Sequence, residues 1–176
     1  MAQREALREL QARLARRLQE AQGSAQQAAW LAVECQTQGL LFPLAGAGEI
    51  FAVPPLLPVP HTRDWFLGVS NLRGRLHGVV DLAAFLGLRA PLVAGAPLLE
   101  QGRVLALNPA LGSHCALLID RLAGLRAQPQ MQAVARAEGA RPGFAGGTWA
   151  DERGREWQEV DLAALAAHPQ FLGIAA

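Results

Sequence analysis

The chain contains no lysine and no tyrosine, so all 16 of its basic side chains are arginines. Arginine stays protonated in proteins, which removes amine nucleophiles, Schiff bases and a lysine general base from the available chemistry. An excess of either charge is missing too, since 16 basic residues face 15 acidic ones for a formal net charge of +1. Such a balance carries no polyelectrolyte footprint for nucleic acid. Cysteine is scarce: Cys35 and Cys115 sit in apolar, strand-like contexts without a CxxC neighbour, the pattern of reduced thiols in a cytosolic core. No stretch approaches the roughly 18 uninterrupted apolar residues of a spanning helix. Arg4, Glu5, Arg8 and Glu9 stand where a secretory signal carries a basic segment followed by an apolar one. The expectation is a cytoplasmic protein without direct membrane insertion.

Catalytic patterns are equally thin. His61, His77, His114 and His168 share no ligand spacing and have no acidic helper in sequence, so neither a metal site nor a cofactor is expected. No serine occupies a nucleophile elbow, and no G-x-x-x-x-G-K-[ST] or G-x-G-x-x-G loop occurs.

What the chain does have is apolar mass, 51% of 176 residues, enough for one sizeable domain or two small ones sharing a core. Residues 1–26 read as a leader, with Leu7, Leu10, Leu14 and Leu18 forming the narrow apolar stripe of an amphipathic helix that ends near Gly23-Ser24. Residues 27–176 read as the folded domain, and from Ala29 the period becomes that of strands. Ala29 to Gln36 and Gly39 to Leu44 are predicted to flank a Thr37-Gln38-Gly39 turn, Gly39 taking positive φ. Pro54, Pro55, Pro58 and Pro60 make 52–64 an extended surface connection. Trp65 to Asn71 and Leu76 to Val80 follow as strands around Leu72-Arg73-Gly74-Arg75. Asp81 then stands at an N-cap position, with Gly87 at the end of the helical turns it starts. Residues 89–102 read as a loop, Arg103 to Asn108 and His114 to Leu122 as a hairpin, and 126–145 as a second loop.

The end of the chain, 146–167, repeats the pattern of 65–88. An offset of 80 places Arg73-Gly74-Arg75 on Arg153-Gly154-Arg155 and Val80-Asp81-Leu82-Ala83-Ala84 on Val160-Asp161-Leu162-Ala163-Ala164, eight identities in the twelve positions from 73 to 84. The simplest account is a duplicated unit of strand, arginine-glycine turn, strand and Asp-capped helix. Units of this size suit small antiparallel barrels packed on each other.

With that organisation, the chain resembles the CheW-like domain, the adaptor module of bacterial chemosensory arrays. The likeness rests on Gly68-Val69-Ser70-Asn71-Leu72-Arg73-Gly74, on Val79-Val80-Asp81-Leu82 with Leu86-Gly87, on Phe42-Pro43-Leu44 and Glu49-Ile50 upstream, and on Leu117-Leu118-Ile119-Asp120-Arg121-Leu122 downstream. It covers roughly 29–167. The spacing of Trp65 before Gly68, the proline-rich approach and the helical leader make it most similar to the PilI-type adaptors of type IV pilus twitching motility. Gly78 departs from the family's usual proline, which predicts a looser hairpin exit. Ala47 is smaller than the family's residue there, and the tip around Asp151, Glu152, Arg153, Arg155 and Glu156 is unusually charged.

The resemblance implies a mainly β fold of two packed five-stranded antiparallel β-barrels with short helical turns, and no catalysis. It implies two partners, the CheW-like regulatory domain of a histidine kinase and the cytoplasmic helical tip of a methyl-accepting chemoreceptor, with Arg73 as the receptor-contacting arginine. The residues themselves support that role: Asn71 can bond its own turn and Gly74 supplies a conformation that L-residues avoid, so Arg73 is offered on a preset backbone. Arg75, Glu49 and Trp65 join it as candidate partner-binding residues. Asp81 and Asp161 read as structural caps rather than catalytic carboxylates, and Arg153 and Arg155 as solvated tip residues. The alternative is a small β-barrel ligand-binding domain or enzyme using the cleft between barrels.

Overall fold

Strict alternation along the strands divides the apolar residues among three cores. In the computed structural model, which describes residues 28–93, 96, 101–135 and 141–176, successive residues of one strand face different layers. Leu31, Val33 and Cys35 of β1 (Ala28–Cys35) point into a large shared core, whereas Trp30 and Ala32 point into a smaller one. The leader proposed over 1–26 lies outside the described residues.

Eleven strands among the described residues form two sheets. Besides β1, the six-stranded sheet contains β2 (Gln38–Pro43), β8 (Arg121–Ala127), β9 (Met131–Val134), β10 (Ala145–Asp151) and β11 (Glu156–Val160), in the order β8-β1-β2-β11-β10-β9. The five-stranded sheet contains β3 (Ala47–Ala52), β4 (Phe66–Leu72), β5 (Arg75–Asp81), β6 (Arg103–Leu107) and β7 (Cys115–Ile119), in the order β3-β6-β7-β5-β4. The shared core draws Phe42 and Val160 from one sheet and Leu105 and Leu117 from the other, together with Leu82 and Leu165 from helices. On their remaining faces the sheets enclose separate clusters, one around Val79 and Leu118 and one around Leu41 and Trp157. Burial on both faces explains why β2 and β7 read as continuous apolar runs.

This architecture corrects the barrel expectation in two respects. No hydrogen-bonded ladder joins β3 to β4 or β8 to β9 among the described residues, so the sheets are open, and their strand numbers are six and five. Each sheet also has a parallel joint, β2 with β11 and β5 with β7, so neither is purely antiparallel. The joints follow from the duplication. In one sheet β6-β7 lies beside the β4-β5 hairpin, and in the other the N-terminal β1-β2 hairpin lies in the matching place beside β10-β11.

Both repeats run into Asp-capped helices. Asp81 Oδ1 accepts the Ala84 N–H at 3.2 Å to open α1 (Leu82–Phe85), and Asp161 Oδ1 accepts those of Ala163 and Ala164 at 2.9 and 3.0 Å to open α2 (Leu162–Ala167). Gly87, at φ +71, ends α1 with the paired Leu88-to-Ala83 and Gly87-to-Ala84 bonds of a Schellman turn. A last short helix, α3 (Pro169–Leu172), buries Phe171 in the shared core.

Several boundaries differ from the sequence reading. Gln36 (φ +57), not Gly39, takes the left-handed conformation at the first turn; Gly39 is paired with Glu34, where a Cβ would stand 2.7 Å from the Trp157 ring. The predicted strand His114 to Leu122 breaks at Asp120, where the chain leaves the five-stranded sheet at Ile119 and enters the six-stranded one at Arg121. The proposed second loop contains β9, and β3 was unmarked in sequence because its glycine-rich start hides the alternation. Gly78 is not a loose exit: it pairs with both Val69 and Cys115, and the Phe66 ring fills the space its side chain would take. The proline segment does cross the surface, pinned to the β4 edge by the Leu57–Val69 bridge and by Ser70 Oγ donating to Pro55 O at 2.8 Å.

One buried cluster ties the sheets together. Arg89 donates through Nε and Nη2 to the two oxygens of Asp81, at 3.1 and 2.5 Å, and through Nη1 to Asp120 at 2.5 Å. Asp120 Oδ2 in turn accepts the Gln36 N–H at 2.7 Å. The Asp81 side chain is fully buried and that of Arg89 is 9% exposed. Burial alone would lower the Arg89 pKa, but the hydrogen bonds and charges of the two aspartates raise it, so the guanidinium keeps its charge. Arg89→Ala leaves Asp81 buried without its cation and is expected to cost about 3–5 kcal/mol in urea unfolding; a loss within the error of extrapolation would show the cluster to be incidental.

Glu34 is the second charged group in the interior, accepting from Arg121 Nε at 2.6 Å and from Arg155. Burial pushes its pKa up, but the bonds to Arg155 and Arg121 outweigh that and hold it below the ordinary 4.5. A depressed folded pKa contributes stability that is present above the unfolded value and lost as pH falls through the folded one. The apparent stability of Glu34→Gln is therefore expected to fall less steeply than that of the parent below about pH 4.5, measured by denaturant titration at stepped pH. Parallel curves would rule out this linkage.

Candidate partner-binding surface

The turn between β4 and β5 has two residues, Arg73 at φ +50 and Gly74 at φ +81, closed by the Leu72–Arg75 pair. Positive φ at both positions is the type I′ arrangement whose twist matches the flanking strands. Glycine adopts it freely, whereas an arginine there is strained and must be held. The holding bond is Asn71 Oδ1 accepting the Gly74 N–H at 2.7 Å. Gly68, at φ +125, has its own steric reason: a Cβ there would stand 2.3 Å from the Leu57 carbonyl oxygen, at the register shift of the hairpin. The spacing Gly68-x-x-Asn71-x-Arg73-Gly74 is thus a bulge followed by a braced turn.

From that turn the Arg73 side chain points outward and is 75% exposed, with Nη2 2.5 Å from Oε1 of Glu49. Glu49 belongs to β3, at the opposite edge of the five-stranded sheet from β4. The ion pair therefore joins the hairpin tip to the far edge strand and reports how strongly the sheet curls. Both groups are well exposed, so the pair contributes little stability. Beneath it lies a groove of about 360 Å³ with an apolar lining that includes Phe51, Leu72, Ala106 and Leu107, and with Arg75, His77 and His114 at its polar side. The His77 and His114 rings meet edge to face at 5.8 Å, and His77 Nδ1 lies 3.0 Å from the Arg75 carbonyl oxygen. An apolar floor with fixed guanidinium and carboxylate groups can take an amphipathic helix or strand and bond its polar rim.

The structure thus brings Arg73, Asn71, Gly74, Arg75 and Glu49 to one place. Trp65 lies at the other end of the hairpin, half-buried, its ring edge-on to Phe85 at 5.2 Å and stacked over Phe171 at 6.4 Å. Asp81 and Asp161 sit at the helix starts, away from the tip, with Asp81 wholly engaged by Arg89 and the Ala84 N–H. Sequence reasoning missed Phe51, His77 and His114. The two histidines are neighbours only because β5 and β7 pair in parallel, Gly78 beside Cys115, a register without a local signal.

The duplicated tip behaves differently, and here the solvated reading of Arg155 is corrected. Its loop is three residues long, from Asp151 to Arg155, and only Gly154 (φ +76) is left-handed. Arg155 turns back to lie 4.5 Å over the Trp157 ring and to pair with Glu34. Arg153 remains exposed. Elsewhere, both thiols are buried, and burial pushes Cys35 and Cys115 up to about 12, which leaves them unreactive near neutral pH. Among the described residues no helix is long and apolar enough to cross a membrane, and no three metal-ligating side chains converge.

Comparison with known proteins agrees with this geometry. The chain is 30% identical over 151 residues to Protein PilI of Pseudomonas aeruginosa, covering 83% of this chain and 80% of that protein. Its fold superposes on the scaffolding protein TtCheW from Thermoanaerobacter tengcongensis with a TM-score of 0.62 at 14% identity, over 77% of this chain and 89% of that one. The CheW-like domain family model matches residues 29–170. A match across the shared core, both sheets and the braced arginine turn means that this chain belongs to the CheW-like domain family of scaffold and adaptor modules.

Proposed function

We propose that the chain is a non-enzymatic adaptor that couples a methyl-accepting chemoreceptor to a histidine kinase in a pilus-associated chemosensory array. The single observation that carries this reading is the outward Arg73 guanidinium, presented by a braced type I′ turn and paired with Glu49 over an apolar groove. A charged fork presented on a braced backbone forms hydrogen bonds with less loss of entropy than one on a floppy loop. Its counterpart is the cytoplasmic helical tip of the receptor, whose apolar stripe would fill the groove while its carboxylates or carbonyls accept from the rim. The kinase's CheW-like regulatory domain would pack on another part of the same body. The kinship with PilI supports the pilus assignment, and the cytoplasm is the compartment that these partners require.

On this reading no bond is made or broken. The adaptor transmits signal through interface free energy by holding two partners in one register. The buried carboxylates and thiols fit that role, since Asp81 and Glu34 are committed to arginines and Cys35 and Cys115 are shielded in the core. Trp65 is assigned a rim role, separate from the groove.

Arg73→Glu is expected to fold normally, because the pair it removes is exposed, and to weaken association with the cognate receptor tip at least about tenfold in titration calorimetry. The exchange Arg73→Glu with Glu49→Arg separates two roles: binding stays weak if the guanidinium itself contacts the partner, and returns if the pair merely shapes the groove. Unaltered affinity in the single variant would defeat the assignment.

A further inference from the structure

The six-stranded sheet carries a second groove, of about 560 Å³, between β8 and the loop that joins β10 to β11. Two of its three acids, Glu34 and Asp151, are spent within the wall, while Glu152 stands exposed in the loop. Glu34 spends one oxygen on Arg121 and the other on Arg155. Asp151 accepts the backbone N–H groups of Arg153 and Arg155 at Oδ1, 3.0 Å each, and the Trp157 indole N–H at Oδ2, also 3.0 Å. Those bonds and charges outweigh its burial and hold its carboxyl below the ordinary range. Both carboxylates are therefore structural parts of the groove wall.

The arginines are not exhausted in the same way, because each guanidinium has five N–H donors. Arg121 bonds Glu34 and still has a side chain 73% exposed. Among the described residues Arg126 donates Nη1 to the neighbouring Leu125 carbonyl and lies 5.4 Å over the Trp157 ring, on which Arg155 also lies, at 4.5 Å. Stacking on an indole and pairing to a fixed carboxylate pre-order these groups. Arg153 stands exposed in the loop.

We infer that this groove is a docking surface for an acidic segment of a partner protein. The guanidinium donors that Arg121, Arg126 and Arg153 leave unused select carboxylates, and their spread along the groove suits several acids on one extended segment. Nucleic acid and anionic membrane fit less well. Each rewards a broad positive field, whereas this chain has a net charge of only +1 and this groove includes Glu34, Asp151 and Glu152. The first 27 residues of the chain hold five arginines and three glutamates, the wrong sign for an internal occupant. The inference does not depend on the adaptor reading, since Arg73 lies on the other sheet.

The test is fluorescence anisotropy with the full-length protein and two labelled synthetic peptides, one of glutamate and leucine, the other with lysine replacing every glutamate. The acidic peptide should bind in a salt-sensitive way, and the double variant Arg126→Glu with Arg153→Glu should weaken it at least about tenfold. Arg153→Glu alone, in an exposed loop where folding is not at issue, should weaken it in the same direction. Equal binding of the two peptides, indifference to both variants, or tighter binding to single-stranded DNA or phosphatidylserine vesicles than to the acidic peptide would overturn the inference.

Discussion

Arg89 is the point at which the two sheets are made one body. Its guanidinium bonds the cap of α1 on one side and, on the other, the corner at Asp120 where the chain crosses between sheets, and that corner holds the β1–β2 turn through Gln36. A buried ionic cluster adds little net stability over well-packed apolar groups, because desolvation offsets most of the attraction. What it does impose is geometry. Two carboxylates and a planar fork satisfy one another in few arrangements, so α1, the crossing and the first turn are fixed relative to each other. Apolar contacts in the shared core supply most of the driving force but tolerate sliding far better.

That fixed end matters for the exposed one. Asp81 closes β5 and Arg75 opens it, so the strand runs from the Arg89 cluster to the hairpin tip. At about 3.3 Å per residue its seven residues span roughly 20 Å. β5 lies between β4 and β7, hydrogen-bonded on both sides, so it cannot bend independently. The braced turn then adds the last constraint, placing Arg73 at the end of a strand whose other end is tied to both sheets.

The duplication was legible because it is written in consecutive residues: the arginine-glycine turn, the Val-Asp-Leu-Ala-Ala strand end and the caps at Asp81 and Asp161 all depend on near neighbours. The Gly68 to Gly74 motif was legible for the same reason, being a bulge and a turn whose bonds are local. Sheet membership was not. Nothing around Asp120 announces that the chain changes sheets there, and the parallel joints at Gly78–Cys115 and Leu40–Gln158 pair residues far apart in sequence. The Arg73–Glu49 pair required the curl of a sheet, and the His77–His114 contact required a register; neither leaves a periodic trace. Gly39 misled because a turn glycine and a glycine making room for the Trp157 ring look alike in sequence.

The same three residues, Arg-Gly-Arg, do opposite things in the two repeats, and their neighbours decide which. In the first, a two-residue turn leaves its leading arginine outward, and the acid it meets is Glu49 on an exposed edge. In the second, the offset of 80 replaces His77 by Trp157, and the longer loop lets the trailing arginine fold onto that ring and onto buried Glu34. One copy thereby leaves its leading guanidinium exposed, while the other consumes its trailing one to build a wall. Because the copies lie on different sheets that share one core, surfaces of different chemistry are carried by one body. The proposed scaffold role has that physical requirement, since a partner docked on one face would meet a geometry set by the other.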